Sequence, residues 1–280
     1  MSAEYAVNGR EVAAKVQVVD ECNLNCVGCD HFAPLAETSH LSVREFSETI
    51  VNLRRVTDNH VREVIIYGGE PLLHESLATL LKITATALPD AWLTVETNGI
   101  LLADWLACNE STATKYGVTF KVTEYAPTAG IVQRLTSSFP TIKFERTVMP
   151  STAEREVNAG GFKASMFNVN LSAPTRDGVV ERSRCYCKAY EPFSICVRRG
   201  FAYPCPLAMC LDIADQNFGT DWAKRSGGVE LKTASFDDLR AVSEEPILLC
   251  KNCGNVELGI PWSVSKKSSG EWFSDKVACK

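Results

Sequence analysis

The chain has 280 residues, 45% of them hydrophobic, and a formal net charge of −5. That length suits one large domain or a domain with a small module, and the mild acidity gives no general attraction to nucleic acid or to an anionic membrane. No apolar run reaches the ~18 residues of a bilayer span, and the opening MSAEYAVNGREVAAK lacks a charged-then-apolar signal pattern. A soluble, cytoplasmic protein is expected.

The first strand is predicted at Ala14–Val19. It runs directly into Cys22-Asn23-Leu24-Asn25-Cys26-Val27-Gly28-Cys29, spaced C-x3-C-x2-C. Ser42-Val43-Arg44-Glu45 is a capping box, and behind it Phe46, Ile50 and Leu53 mark one apolar helix face. Val61–Tyr67 reads as a second strand ending in Gly68-Gly69-Glu70-Pro71. Leu73, Leu77, Leu80, Thr84 and Leu88 mark the second helix. A third strand, Trp92–Val95, ends in Glu96-Thr97-Asn98-Gly99, and residues 101–114 read as helix. The fourth, Val118–Thr123, ends in Glu124-Tyr125-Ala126-Pro127. A short helix near 129–137 and a strand at 141–146 follow, and Met166–Leu171 reads as a sixth strand.

Strands alternating with helices over short connections imply a parallel sheet with helical crossovers. Each strand ends in glycine or polar residues, so the unusual chemistry collects along one rim, as at the C-terminal face of α/β barrels. Residues 147–164 turn polar, with Pro150 and Gly160-Gly161, and read either as a lid or as a connection. The domain boundary is expected near 180, giving residues 1–180 and 181–280.

The chain carries twelve cysteines. Disulfides are one reading, but without a secretory signal clustered thiols point to metal or iron–sulfur ligation. A zinc site at Cys22, Cys26 and Cys29 would need a fourth ligand, and His31 is available.

The C-x3-C-x2-C loop together with GGEP one strand later resembles the radical S-adenosylmethionine (SAM) enzymes, with the two motifs covering residues 14–75 and the alternation extending the match to about residue 171. The resemblance implies a partial (β/α)6 TIM-like barrel. It implies that Cys22, Cys26 and Cys29 hold a [4Fe–4S] cluster whose fourth iron takes the amino and carboxylate groups of SAM. Reductive cleavage would then yield a 5′-deoxyadenosyl radical. By the same resemblance Gly68, Gly69, Glu70 and Pro71 receive the SAM amino group, and Thr97 and Asn98 stand where the family gathers ribose and carboxylate contacts. Asn98-Gly99 is equally a plain turn signal. The family often has an aromatic residue before the third cysteine. Here that residue is Gly28, and Phe32 is the candidate to stack on adenine or to join the core. Thr123, Glu124 and Tyr125 reach the same rim, Lys121 shares a face with Thr123, and Lys121, Glu124 and Tyr125 are the catalytic candidates.

Further on, Cys187-x12-Gly200-x4-Cys205 and the pair Cys250-x2-Cys253 resemble the auxiliary-cluster module of radical SAM enzymes with SPASM or Twitch domains. Phe193–Pro206 fits its hairpin, Ser235 caps a short helix, and Cys187, Cys205, Cys250 and Cys253 would hold one auxiliary [4Fe–4S] cluster. Cys185 satisfies the first spacing as well, and a zinc ribbon is the alternative for the module. Cys210 could ligate, and Cys279 lies too near the chain end for a second full set. Cys196 and Cys108 are expected to pack in the core.

With one auxiliary cluster, the resemblance implies oxidation or epimerisation of a small polar substrate such as a carbohydrate or aminocyclitol, fed by an electron donor of flavodoxin or ferredoxin type. The tail from Pro261-Trp262-Ser263 to Glu271-Trp272-Phe273, with Lys266-Lys267, points the same way or simply packs on the barrel. The alternatives are a peptide-modifying enzyme, which the short lead-in before the first strand disfavours, and a non-catalytic metal-binding protein, which would not need GGEP. No nucleic-acid or membrane partner is expected.

Overall fold

A computed structural model describes residues 11–148, 193–245, 247 and 262–272. The strand expected at Met166–Leu171, the polar stretch after Val148, the boundary near 180, and Cys185, Cys187, Cys250, Cys253 and Cys279 lie outside the described residues.

Among the described residues, eight strands form one sheet in the order β5-β4-β3-β2-β1-β6-β7-β8. They are β1 Val12–Val19, β2 Val61–Gly68, β3 Trp92–Thr97, β4 Thr119–Glu124, β5 Lys143–Val148, β6 Ser194–Arg198, β7 Phe201–Tyr203 and β8 Val229–Glu230. β1 to β6 pair in parallel, whereas β7 and β8 add antiparallel. The crossover helices are α1 Val43–Val56, α2 Leu77–Ala87, α3 Leu102–Lys115 and α4 Ile131–Ser138. α5 Pro206–Met209, α6 Leu211–Phe218 and α7 Phe236–Glu244 follow β7 and β8.

Local chemistry explains these elements. Ser42 Oγ accepts from Glu45 N at 3.2 Å while Glu45 Oε2 accepts from Ser42 N at 3.0 Å, closing the capping box that starts α1. Ser235 and Asp238 repeat the device at α7. Arg199 and Gly200 form the two-residue turn between β6 and β7, where Arg198 pairs with Phe201.

Helices α1 to α4 and α7 lie on one face of the sheet. Val12, Ala14, Val16 and Val18 of β1, Val64 and Ile66 of β2, and Phe120 and Val122 of β4 pack there with Phe46, Ile50, Leu80, Leu106 and Leu239. The other face carries the alternate residues. Its core, around Ile65, Tyr67 and Cys196, is covered by Phe32, Leu207, Met209, Leu211 and Trp272. A mostly parallel sheet with its crossover helices on one side is a partial barrel.

The hairpin expected at Phe193–Pro206 forms, and its β6 is a parallel neighbour of β1, pairing Ala13–Val16 with Ser194–Val197. Cys108 is exposed, not core. α3 buries Leu102 and Leu106, one turn apart, and a residue two positions beyond Leu106 faces away from that stripe. Cys196 is buried in β6 as expected. Among the described residues no helix is long and apolar enough to cross a membrane.

Candidate active site

The C-terminal ends of β1, β2, β3 and β4 meet at one rim, and the cysteine loop spans it. Gly28 has φ +59°, in the left-handed region that a side chain disfavours, so glycine serves the turn where the family often has an aromatic residue. Cys22 Sγ accepts from Leu24 N at 3.3 Å. Asn98, at the end of β3, reaches across to the loop: its Nδ2 donates to Asn23 Oδ1 at 2.6 Å and lies 3.7 Å from Cys22 Sγ.

The glycine pair after β2 is dictated by closeness. Gly69 N donates to Val19 O at 3.0 Å and Glu70 N to Glu21 O at 2.9 Å, laying this backbone against the root of the cysteine loop. A Cβ on Gly69 would stand 1.9 Å from Glu21 O, inside a contact no side chain can occupy. Pro71 then starts a short turn.

Glu70 is fully buried. Its Oε1 accepts from Thr97 Oγ1 at 2.7 Å and Leu72 N at 3.1 Å, and its Oε2 from Asn98 N at 2.9 Å. Burial pushes its carboxyl up to about 7, although these donors favour the charged form. The structure therefore brings Cys22, Cys26, Cys29, Gly68, Gly69, Glu70, Pro71, Thr97 and Asn98 together.

Tyr125, just past β4, belongs to the same rim. Burial, and after it the neighbouring Cys26, Cys29, Asp30 and Cys22, push its hydroxyl well above its ordinary value. Glu124 is turned elsewhere. Its carboxylate accepts from Gly130 N at 3.1 Å, Val132 N at 2.9 Å and Arg146 Nη2 at 2.8 Å, which ties β4 to the start of α4. Phe32 lies wholly inside the inner core, its ring 5.7 Å from that of Trp272.

Beneath the rim the inner face of the sheet also carries charged residues. Lys121 Nζ lies 3.0 Å from Glu63 Oε1, which also accepts from Thr94 Oγ1 at 2.6 Å. Lys15 Nζ lies 3.3 Å from Glu96 Oε1. Thr123 follows Lys121 by two positions along β4, on the same face.

Several residues here carry no motif. Asp30 Oδ1 lies 2.9 Å from His31 Nδ1, and the ligand atoms of Cys29, Asp30 and His31 fall within 4.8 Å of one another. Burial opposes charge on His31, but the Asp30 carboxylate outweighs it and holds the imidazolium up to about 10. At the root of the loop, Asp20 takes Arg198 Nε at 3.0 Å and Nη2 at 2.9 Å, while Arg198 Nη1 reaches Asp212 Oδ1 at 2.7 Å. Arg198 lies 178 positions from Asp20, so only the strand pairing reveals the contact. Residues 262–272 also pack on the cysteine loop, a contact foreshadowed only by two tryptophans in the tail.

Of the auxiliary cysteines, Cys205 alone falls among the described residues. It precedes α5, where its sulfur accepts from Ala208 N at 3.5 Å. Cys210 is fully buried and its thiol donates to Gln17 Oε1 at 3.4 Å.

The donor set of the loop suits an iron–sulfur cluster. Three soft thiol ligands come from one short loop. Burial pushes Cys22 up strongly and Cys26 to about 12, so the thiols are poor anions until a metal charge compensates them.

Comparison with known proteins agrees with this arrangement. Residues 16–112 match the Radical SAM superfamily. A GTP 3′,8-cyclase of Nautilia profundicola is 30% identical over 91 residues, covering 32% of this chain and 29% of the relative. That of Desulforamulus reducens is 35% identical over 95 residues, covering 32% and 28%. The chain thus matches less than a third of the length of these curated relatives. The crystal structure of BtrN in complex with AdoMet and 2-DOIA superposes with a TM-score of 0.52 at 18% identity, over 90% of this chain and 96% of that one, a likeness of fold. The cysteine loop, the glycine pair and the buried glutamate all lie inside the matched segment, so the likeness to the Radical SAM superfamily rests on residues 16–112.

Proposed function

We propose that the chain is an enzyme that reductively cleaves SAM and abstracts a hydrogen atom from a small polar substrate of carbohydrate or aminocyclitol type, leading to oxidation or epimerisation. One observation carries the reading: the three loop cysteines, Gly69, Glu70 and Asn98 converge on one rim, above an inner wall lined by Lys15, Glu63, Glu96 and Lys121.

Cys22, Cys26 and Cys29 would hold a [4Fe–4S] cluster. When bound with SAM, the cluster supplies the electron that breaks the sulfonium and leaves a 5′-deoxyadenosyl radical. The protein's part is to bind, orient and exclude water. The backbone of Gly68–Pro71 and the Glu70 carboxylate receive the SAM amino group. Thr97 and the Asn98 amide hold that carboxylate in place. Phe32 backs the loop from the core. Tyr125 closes the rim beside the cysteines and, with its hydroxyl held protonated, offers a hydrogen-bond donor there. Lys121 and Thr123 present polar groups to a substrate below. Glu124, by tying β4 to α4, keeps Tyr125 where it stands.

The inner wall favours the small-molecule reading. Two ion pairs facing the interior offer donors and acceptors suited to hydroxyl and amino groups. Cys187, Cys205, Cys250 and Cys253 would hold one auxiliary cluster, in a domain spanning residues 181–280. The electron would come from a flavodoxin- or ferredoxin-type donor in the cytoplasm.

The test is anaerobic reconstitution followed by dithionite and SAM. The expected product is 5′-deoxyadenosine, with about eight irons per chain if two four-iron clusters bind. Cys26→Ala should abolish SAM cleavage. No 5′-deoxyadenosine above background would overturn the reading. Deuterium carried from a labelled candidate substrate into 5′-deoxyadenosine would identify the atom removed.

A further inference from the structure

Residues 262–272 form a strap across the cysteine loop. Val27 N donates to Ser263 O at 2.9 Å and Ser265 N to Asn25 O at 2.8 Å, so Val264 pairs antiparallel with Cys26. The strap is shaped by Glu271, whose carboxylate accepts from Ser265 Oγ at 2.6 Å, Lys266 N at 2.7 Å and Ser268 N at 3.1 Å.

Its two tryptophans act on different atoms. Trp272 is buried against Phe32 and Phe218, and its Nε1 donates to the main-chain oxygen of Cys29 at 2.8 Å. That bond fixes the loop's path. Trp262 Nε1 donates to Cys26 Sγ itself, at 3.1 Å. An N–H aimed at a ligand sulfur does more than hold backbone. It withdraws electron density from the thiolate and stabilises the more anionic, reduced cluster, and hydrogen bonds to sulfur are among the levers that set cluster potentials.

We propose that Trp262 is a positioning residue that raises the reduction potential of the cluster held by Cys22, Cys26 and Cys29, through its indole N–H on Cys26 Sγ. The inference rests on the cluster assignment made above and deepens it: this chain uses a tail segment, 236 positions away from Cys26, to ease the reduction that SAM cleavage requires.

The experiment compares the full-length parent, Trp262→Phe and Trp272→Phe by anaerobic redox titration read by electron paramagnetic resonance. Trp262→Phe should move the midpoint negative by about 59 mV, a tenfold change in the one-electron equilibrium. Trp272→Phe, which keeps the N–H on sulfur but frees a main-chain contact of the loop, should shift the midpoint by well under half of that. A benzothiophene analogue placed at Trp262 keeps the shape and removes only the N–H, and it decides the matter where phenylalanine costs the cluster. It should reproduce the negative shift. A parental midpoint in the analogue, or an equal shift in Trp272→Phe, overturns the proposal. A parent that binds no four-iron cluster at these cysteines overturns the reading beneath it instead, so the two failures are told apart by the iron and sulfide content of the starting protein.

Discussion

Asn98 spans the rim between β3 and the cysteine loop, its Nδ2 2.6 Å from Asn23 Oδ1 while its main-chain N–H serves Glu70. The side chain thus couples two motifs that lie 75 positions apart. Asn98→Ala and Asn23→Ala should each cost about 1 kcal/mol, the ordinary worth of a partly buried hydrogen bond. Both lose this bond, and Asn98→Ala also loses the one its Oδ1 accepts from Ile100 N, so the double variant should be no worse than Asn98→Ala by more than a few tenths. Urea unfolding of the four proteins in a double-mutant cycle checks this, and strict additivity would show that the bond is not formed.

Glu70 makes stability and SAM binding respond to pH in opposite senses. Its carboxyl is raised from 4.5 to about 7 by burial. The folded state therefore binds the proton more tightly than the unfolded chain, and stability falls as pH rises from about 4.5 to about 7, then levels. The full effect is about 3 kcal/mol. Glu70→Gln should flatten that slope in urea titrations and weaken SAM binding. In the parent, SAM affinity should rise through pH 7, since an ammonium group pairs with the carboxylate and not with the acid. A flat affinity profile between pH 6 and 8 would remove Glu70 from the SAM amino group.

Gly69 and Gly28 separate two reasons for glycine. Gly69→Ala places a methyl group 1.9 Å from a main-chain oxygen that cannot move without distorting β1. A loss of about 3 kcal/mol or more is expected. Gly28→Ala meets a positive φ, at a cost of about 1 kcal/mol. Thermal unfolding of the two cluster-free proteins should rank them in that order.

Arg198 is the buried cation that closes the root of the loop, 5% exposed and bonded to Asp20 and Asp212. Arg198→Ala leaves the buried Asp20 carboxylate with Arg199 and Gln17 alone and should cost about 3 kcal/mol. Burial raises the Asp20 carboxyl, but Arg198, with Gln17 and Arg199, outweighs it and holds the group below 3.8. The stabilisation is therefore present above that value and lost as pH falls through the folded one. The variant should show a weaker acid-side dependence in unfolding titrations below pH 4, with Arg199 and Gln17 keeping the remainder.

Much of this was legible in the sequence. The Ser42–Glu45 box, the apolar stripes and the glycine-rich strand ends announce themselves through local spacing, and β1 to β5 with α1 to α4 lie where spacing puts them. The cysteine loop was legible because its three thiols are neighbours in the chain. What stayed hidden depends on distance along it. Nothing near Ser194 says that β6 pairs with β1, and nothing near Trp262 says that its indole meets Cys26. Glu124 sits at the rim end of a strand as a catalytic carboxylate would, and only its three donors reveal that it anchors α4. Cys108 misled because an apolar residue type was read as buried without asking which face of α3 it occupies.

The place of β1 in the sheet has a consequence for how the molecule is made. One edge of β1 finds β2 within fifty residues, but its other edge waits for β6, whose Cys196 lies opposite Lys15. A chain emerging from the ribosome therefore carries an open strand edge through most of its synthesis, and open edges recruit other chains. A truncated protein ending at residue 148 should accordingly self-associate where the full chain does not, and an added peptide spanning Ser194–Arg198 should suppress that association.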